Sequence, residues 1–429
     1  MKKYLIEILP VLLLLITVST VNPWTDFTIG NTVVWYFVYA IILFYFVKSK
    51  RFFFDKKNSQ NILLIHIYIS WIGLCIARGM FTASNYWEWK NLTSASMFLL
   101  MPLSIYIFTN KYFVQKIIYV WLRYALPVFF IFYLVIWPEA YGRYLMPISI
   151  LLLFFPVLPK KWKFIFLFFT IIVIVSDLTA RSNVIKFVVP LVLSFVYYFR
   201  RFFGKKILEI IRNLVLFSPI LFLVLAISGV FNIFNMKEYM GGEYKIAAKE
   251  EGGNEGNLTI DTRTFLYIEV LESAIKNDYV LFGRTPARGN DSSAFGVFLA
   301  KELDMENEER FSNEVSILNI FTWTGALGVL LYFFVFYKAT YLAVNKSNNI
   351  FIKIVGLYVA FRWMFAWVED FSFFNLANLY LWISIGMCFS YSFRTMSNKE
   401  LVYWLWGILD KRYRTVKIHN IKRIRTNGN

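Results

Sequence analysis

Apolar residues in this chain come in long, nearly unbroken runs, not at every second or every third to fourth position, and short polar connectors separate the runs. A helix needs about 17 to 25 such residues to cross a hydrocarbon core. Twelve stretches qualify, near residues 4–21, 31–47, 61–79, 92–108, 117–137, 142–158, 162–177, 183–199, 212–234, 315–337, 350–368 and 373–393. The pattern predicts an all-α polytopic membrane protein of about twelve transmembrane helices, with a large outer loop between the ninth and tenth. The first run, in MKKYLIEILPVLLLLITVSTVNPW, has the basic start of a secretory signal. Glu7 and Pro10 interrupt it, no small-residue cleavage site follows, and further runs come directly after, so it reads as the first span.

One connector departs from the rest. Residues 236–312 are polar and rich in acids, and KEEGGNEGN near their start lacks apolar residues and is expected to be mobile. Within DTRTFLYIEVLESAIKNDYVLFG, Phe265, Ile268, Leu271 and Ile275 recur at helical spacing, and Asp261 stands where a helix cap belongs. One apolar helix is too little for an independent core, so this segment must pack on the spans. The chain therefore divides into spans over 1–235, a polar loop with an amphipathic helix over 236–312, spans over 313–393 and a basic tail over 394–429.

Composition agrees: 58% of the 429 residues are apolar and only 17% are charged. The net charge of +18 would point to nucleic acid in a soluble chain. Here the basic residues concentrate in alternate connectors, KSKRFFFDKK, PKKWK, RRFFGKK and DKRYRTVKIHNIKRIR, while NPWTDFTIGN and WPEAYGR face the other way. The preference of Lys and Arg for cytoplasmic loops then places both termini inside and residues 236–312 outside, and it accounts for the charge without a nucleic-acid partner. Membrane lipid is the partner that the tail fits. Cys75, Cys388, His66 and His419 are scattered, and no paired acids stand in the first outer loop, so neither a metal nor a cofactor is implied.

Charged residues at the outer ends of spans are costly and mark candidate chemistry. Arg78, Arg181, Arg362, Glu369 and Asp370 are such residues. Arg362 and Glu369, seven apart, share one face of a helix, while Asp177 and Arg181, four apart, have the spacing of an ion pair. FGRTPARGNDSSAFG adds Arg284 and Arg288, and Arg263 and Arg310 lie in the same loop. A guanidinium cluster on the side where positive charge is normally thinned suits a phosphate or diphosphate. The competing reading pairs these arginines with the acids of their own loop. Trp87, Trp89, Trp137, Trp323, Trp363 and Trp367 read as interfacial belt residues, some of them available to stack on sugar rings.

Three stretches resemble the bacterial O-antigen ligases and polymerases, multispan enzymes that use lipid-linked glycans. DLTARSNVIKF is similar to the family's Ser/Thr-rich turn with an arginine before a span and carries Arg181. TRTFLYIEVLESAIKNDYVLFGR is similar to its pattern of arginine, aromatic and closing glycine, and carries Arg263 and Gly283. RFSNEVSILNIFTWTGALGVLLYF is similar to its polar pair, aliphatic repeat and GxxG entering a span. The resemblance covers nearly the whole chain, but Asn313 and Glu314 stand where the family usually has a histidine. It implies a GT-C-like architecture and a metal-independent, inverting transfer from an undecaprenyl-diphosphate-linked glycan donor to a glycan acceptor at the outer face of the bacterial cytoplasmic membrane, with a chain-length regulator as an implied partner. On this reading Arg181 and Arg263 meet the diphosphate, Arg284, Arg288, Arg310, Asn313, Arg362 and Glu369 contact phosphate or glycan, and Glu314 is the base. Polymerase is the first expectation and ligase the alternative, with a lipid-linked glycan flippase as the reading of another class.

Overall fold

A computed structural model describes residues 2–176, 181–232, 247–249, 255–257, 263–293, 296, 301 and 308–413. The chain is a bundle of apolar helices with two short two-stranded ladders, β1 (Ala247–Lys249) with β2 (Glu255–Asn257) and β3 (Asn290–Asp291) with β4 (Glu309–Arg310), both antiparallel. Among the described residues, seven helical stretches are long and apolar enough to cross a membrane: Leu5–Trp24, Thr32–Phe53, Gln60–Thr82, Tyr86–Phe108, Lys111–Phe132, Lys205–Ile227 and Ser316–Asn345. They coincide with seven of the twelve expected runs.

The other five runs hold shorter helices. Lys160–Ser176, Arg181–Ser194, Ile350–Phe365 and Leu376–Phe389 have 17, 14, 16 and 14 residues, and the 142–158 run is broken into Tyr141–Tyr144, Met146–Leu152 and a 3-10 turn at Phe155–Val157. Pro147 and Pro156 open the last two pieces; proline has no N–H for the helical ladder, so one long run becomes several short helices. Five helix starts share one device: Asn31, Asn85, Asn110, Asn349 and Asn375 each accept a hydrogen bond from a first-turn N–H, which meets a backbone donor that the helix itself leaves without a partner.

Helix Ile350–Phe365 is buried around nearly its whole circumference, packed by Ser316–Asn345, Lys205–Ile227 and Leu376–Phe389. Trp363 Nε1 donates to Leu216 O at 3.0 Å across one of these seams. The outside of the bundle carries exposed hydrocarbon, including Val33, Phe81, Leu134, Phe164 and Phe202, a distribution that fits lipid as the solvent.

Helix Ser316–Asn345 breaks at Gly325, whose φ is +71°. A regular helix would send Ala326 N–H to Thr322 O. Instead Ala326 N donates to Val280 O at 2.8 Å, and Thr322 O accepts from Arg284 N at 2.7 Å. The 280–284 turn is thus inserted into the ladder of a span-length helix. Gly283, also at φ +71°, faces Gly325 so closely that a Cβ on it would lie 2.5 Å from Gly325 N.

The amphipathic helix forms at Thr264–Lys276, but its buried positions are Leu266, Val270, Ser273 and Ala274. Ile268, Leu271 and Ile275, which share the apolar spacing, are exposed, and the first two line an apolar groove described below. Asp261, the expected cap, lies outside the described residues, and Arg263 occupies the N-cap position. The KEEGGNEGN stretch, expected to be mobile, contributes β2 and the last residue of β1; residues 250–254 lie outside the described residues.

Candidate functional site

A cavity of about 430 Å³ opens where the 22–31, 137–141 and 366–375 connections meet. Six segments build it: the end of the first helix, the start of Thr32–Phe53, Ser94 and Met97 of Tyr86–Leu99, the start of the broken 141–152 helix, the start of Arg181–Ser194, and the turn after Ile350–Phe365. Trp24, Trp35, Tyr36 and Tyr39 give it aromatic walls, and Arg143, Asn183, Lys186 and Asp370 bring polar groups. The Arg143 guanidinium lies 3.9 Å over the Trp24 ring and pairs with Glu139 at 2.8 Å. Asn183 Nδ2 donates to Glu139 O at 2.8 Å, which ties the Arg181–Ser194 helix to the same corner.

Lys186 is the centre of charge. It is 7% exposed, and its Nζ lies 2.9 Å from Glu369 Oε1 and 3.2 Å from Ser182 Oγ. Arg263 reaches the other side of the same carboxylate, with Nη2 at 4.0 Å from Glu369 Oε2, while its Nε donates to Val368 O at 2.6 Å. Burial alone would raise the proton affinity of Glu369, but the Lys186 ammonium beside it holds the carboxyl below its ordinary range. Arg181 opens its helix with an exposed side chain, one turn before Lys186. Asp177, its expected ion-pair partner, lies outside the described residues.

Asp370 is held differently. Its Oδ1 accepts from Ser372 N at 2.8 Å and Ser372 Oγ at 2.5 Å, and Ser316 Oγ lies 3.2 Å away. Burial raises its pKa to about 6 against these hydrogen bonds, with the Glu369 charge adding to the rise. Asn319 Nδ2 donates to Ser372 Oγ at 2.8 Å and Asn313 O at 2.9 Å, and Asn319 Oδ1 accepts from Asn313 N at 2.6 Å. Asn313 Nδ2 reaches Asn290 Oδ1 at 2.9 Å. The polar residues of RFSNEVSILN therefore build the bed that supports Asp370.

The remaining expected site residues are placed as follows. Glu314 has a side chain 60% exposed, 3.6 Å from Arg310 Nη2, so the apolar surroundings expected of it as a base are absent. Arg310 Nε donates to Ser312 O at 3.0 Å. Arg284 binds Asp291 at 2.7 Å and Glu309 at 3.0 Å, and Arg288 engages both oxygens of Glu309, with Nε at 3.0 Å from each. Glu309 is 3% exposed and also accepts from Gly289 N at 3.0 Å. The two arginines of FGRTPARGN thus meet acids of their own loop, the competing reading of that stretch. Arg78 donates to Phe282 O and Gly283 O, and Asn91 to Pro286 O, which strap the stretch onto the spans.

Arg362 does not share a helical face with Glu369, because the helix ends at Phe365 and the chain turns before Glu369. Its guanidinium is 1% exposed, stacks 4.6 Å over Phe371 and donates to Tyr358 OH at 3.2 Å. Sequence reasoning missed Lys186, Asn183 and Arg143. A lysine five residues into an apolar run was the available signal for the first.

A separate apolar groove of about 390 Å³ runs between Lys205–Ile227, Thr264–Lys276 and the end of Ile350–Phe365. Val368, Tyr267 and Trp367 line its near end, so Arg263 stands between this groove and Glu369. No family model, curated protein or solved structure matches this chain. Its function must be read from the site itself.

Proposed function

We propose that this protein is an integral membrane glycosyltransferase that moves a glycan from an undecaprenyl-diphosphate carrier to an acceptor sugar, and acts as a surface-polysaccharide polymerase. The observation that carries the reading is the cavity, which combines aromatic walls suited to sugar rings with a carboxyl of raised proton affinity and a buried lysine. In this proposal all twelve helical segments cross the membrane, the five shorter ones within the bundle, and charge asymmetry sets the termini inside and the cavity outside.

The chemistry is a single displacement. Asp370 takes the proton of the acceptor hydroxyl, the hydroxyl oxygen bonds to the anomeric carbon, and the bond from that carbon to the diphosphate oxygen breaks with inversion. The diphosphate leaves as an anion, and Lys186, Arg263 and Arg181 meet its growing charge without a metal. Arg263 is the hinge of the assignment, since the groove beside it suits the polyprenyl chain. Asp370 replaces Glu314 as the proposed base because Asp370 lines the cavity, whereas Glu314 is 60% exposed and faces Arg310. A transporter would carry charges along a path through the bundle, whereas these gather at one end.

Deletion of the gene followed by electrophoresis of surface polysaccharide tests the reading. Loss of the ladder with one repeat unit still attached supports polymerase. Accumulation of unattached polymer would instead identify a ligase, and unchanged surface glycans would overturn both. Arg181→Lys keeps the charge and loses bidentate geometry, so it is expected to abolish transfer if this side chain grips a diphosphate.

A further inference from the structure

A second cleft, about 1400 Å³, opens on the flank of the bundle between the Lys111–Phe132 segment and helix Lys160–Ser176. It is unrelated to the cavity above. Leu126, Phe130, Phe164 and Phe168 give it hydrocarbon walls, and Arg123, Lys161, Asp410 and Arg412 also line it. Arg412 is paired with Asp410 at 2.7 Å. Among the described residues no carboxylate lies within ion-pair distance of Arg123 or Lys161, and both side chains are exposed.

Arg123 is the informative residue. It stands twelve positions beyond Lys111, roughly 18 Å along a helix at about 1.5 Å per residue, inside a segment apolar enough to span a bilayer. A cation there is costly unless something neutralises it. It also lies within a π-helical turn, Trp121–Ala125, a local irregularity often kept for function. Trp162, Trp406 and Tyr413, residue types favoured at headgroup depth, line the same cleft.

We propose that this cleft is a binding site for an anionic phospholipid, with the headgroup phosphate on Arg123 and Lys161 and the acyl chains along the phenylalanine wall. Charge selects the occupant. The chain beyond residue 413 carries Arg414, Lys417, Lys422, Arg423 and Arg425, and the cleft's cations repel it. A zwitterionic headgroup brings a positive group to the same cations. An anionic glycerol headgroup satisfies them and adds two chains for the apolar walls.

Native mass spectrometry of the full chain, released from micelles after titration with phosphatidylglycerol or phosphatidylcholine, tests this. Phosphatidylglycerol should be retained in preference, and Arg123→Gln with Lys161→Gln should weaken its retention about 25-fold, roughly fivefold for each cation, with phosphatidylcholine unchanged. Equal retention of the two lipids, or an unaffected double variant, would overturn the proposal. If the double variant does not fold, the thermal shift of the unaltered chain decides: stabilisation by phosphatidylglycerol alone supports the site, and equal stabilisation refutes it. Removal of residues 414–429 should leave retention unchanged; a clear gain would make the tail the occupant, and a dimer that survives delipidation would make it a second copy.

Discussion

Asp370→Asn is the most discriminating single change. Every hydrogen bond that the carboxylate accepts goes to Oδ1, from Ser372, Ser316 and Asn319, so an asparagine can keep that oxygen in place and set its amide where Oδ2 was. Only the charge is lost. Raising the carboxyl from 3.8 to about 6 is a shift of about 2 pH units, which amounts to ~3 kcal/mol at most. Below about pH 4 the group is protonated in both folded and unfolded chains, and its contribution is fully present. As pH rises through 6 the folded protein must ionise it in place, and that stability is lost. Melting curves of the detergent-solubilised protein from pH 4 to 8 should therefore show the unaltered chain falling behind the Asn variant, with the gap opening up to pH 7 and levelling beyond. Parallel curves across that range would refute the raised pKa. In a transfer assay the unaltered rate should climb through about pH 6, while the variant should be flat and slower by roughly 10²- to 10⁴-fold. A variant that transfers normally would remove Asp370 as the base.

Lys186→Met should cost about 3–5 kcal/mol by leaving Glu369 with only Arg263 at 4.0 Å, and the loss should shrink in acid as the depressed Glu369 carboxyl takes a proton; thermal melting at two pH values measures both. Glu309→Gln should loosen Arg288 while Arg284 keeps Asp291 at 2.7 Å, so trypsin should cut after Arg288 faster than in the unaltered chain, unless Arg78 and Asn91 suffice to hold the turn. Gly325→Ala should destabilise by at least ~1–3 kcal/mol, since its Cβ would lie 2.3 Å from Leu281 O in a left-handed conformation, whereas Gly73→Ala, with nothing within 4 Å, should be neutral or stabilising in the same melting assay.

Run length was enough to find the seven span-length helices of the described residues, because hydrocarbon thickness sets that length directly, but it missed the short apolar helix Asn398–Leu409 in the expected basic tail. It did not reveal where helices break. Pro102, Pro127, Pro147 and Pro156 stand in the sequence for anyone to see, yet whether a proline kinks or ends a helix depends on what its neighbours do with the freed carbonyls. The spacing of apolar residues located Thr264–Lys276 but not which of its faces is buried, because an apolar stripe is compatible with either side when the surroundings are hydrocarbon. Of the charged residues expected at span ends and in the loop, Glu369 and Arg263 do meet. The partner that completes them, Lys186, comes from a segment 183 residues away in the chain, and no local spacing encodes such a meeting. The arginines of FGRTPARGN had two readings of similar merit, and the acids that take them up, Asp291 and Glu309, were in the same loop throughout.

The 280–284 turn occupies places in the hydrogen-bond ladder of helix Ser316–Asn345, so loop and span cannot be exchanged as separate parts. A transplant that swaps the loop alone leaves Ala326 N–H and Thr322 O without partners at the break in the helix. The natural graft runs from Tyr279 through the upper half of that helix past Gly325, as one piece. Chimeras cut within it should fail to accumulate, while those cut outside it should express, and the breakpoint at which expression returns would map how far the stitched unit extends.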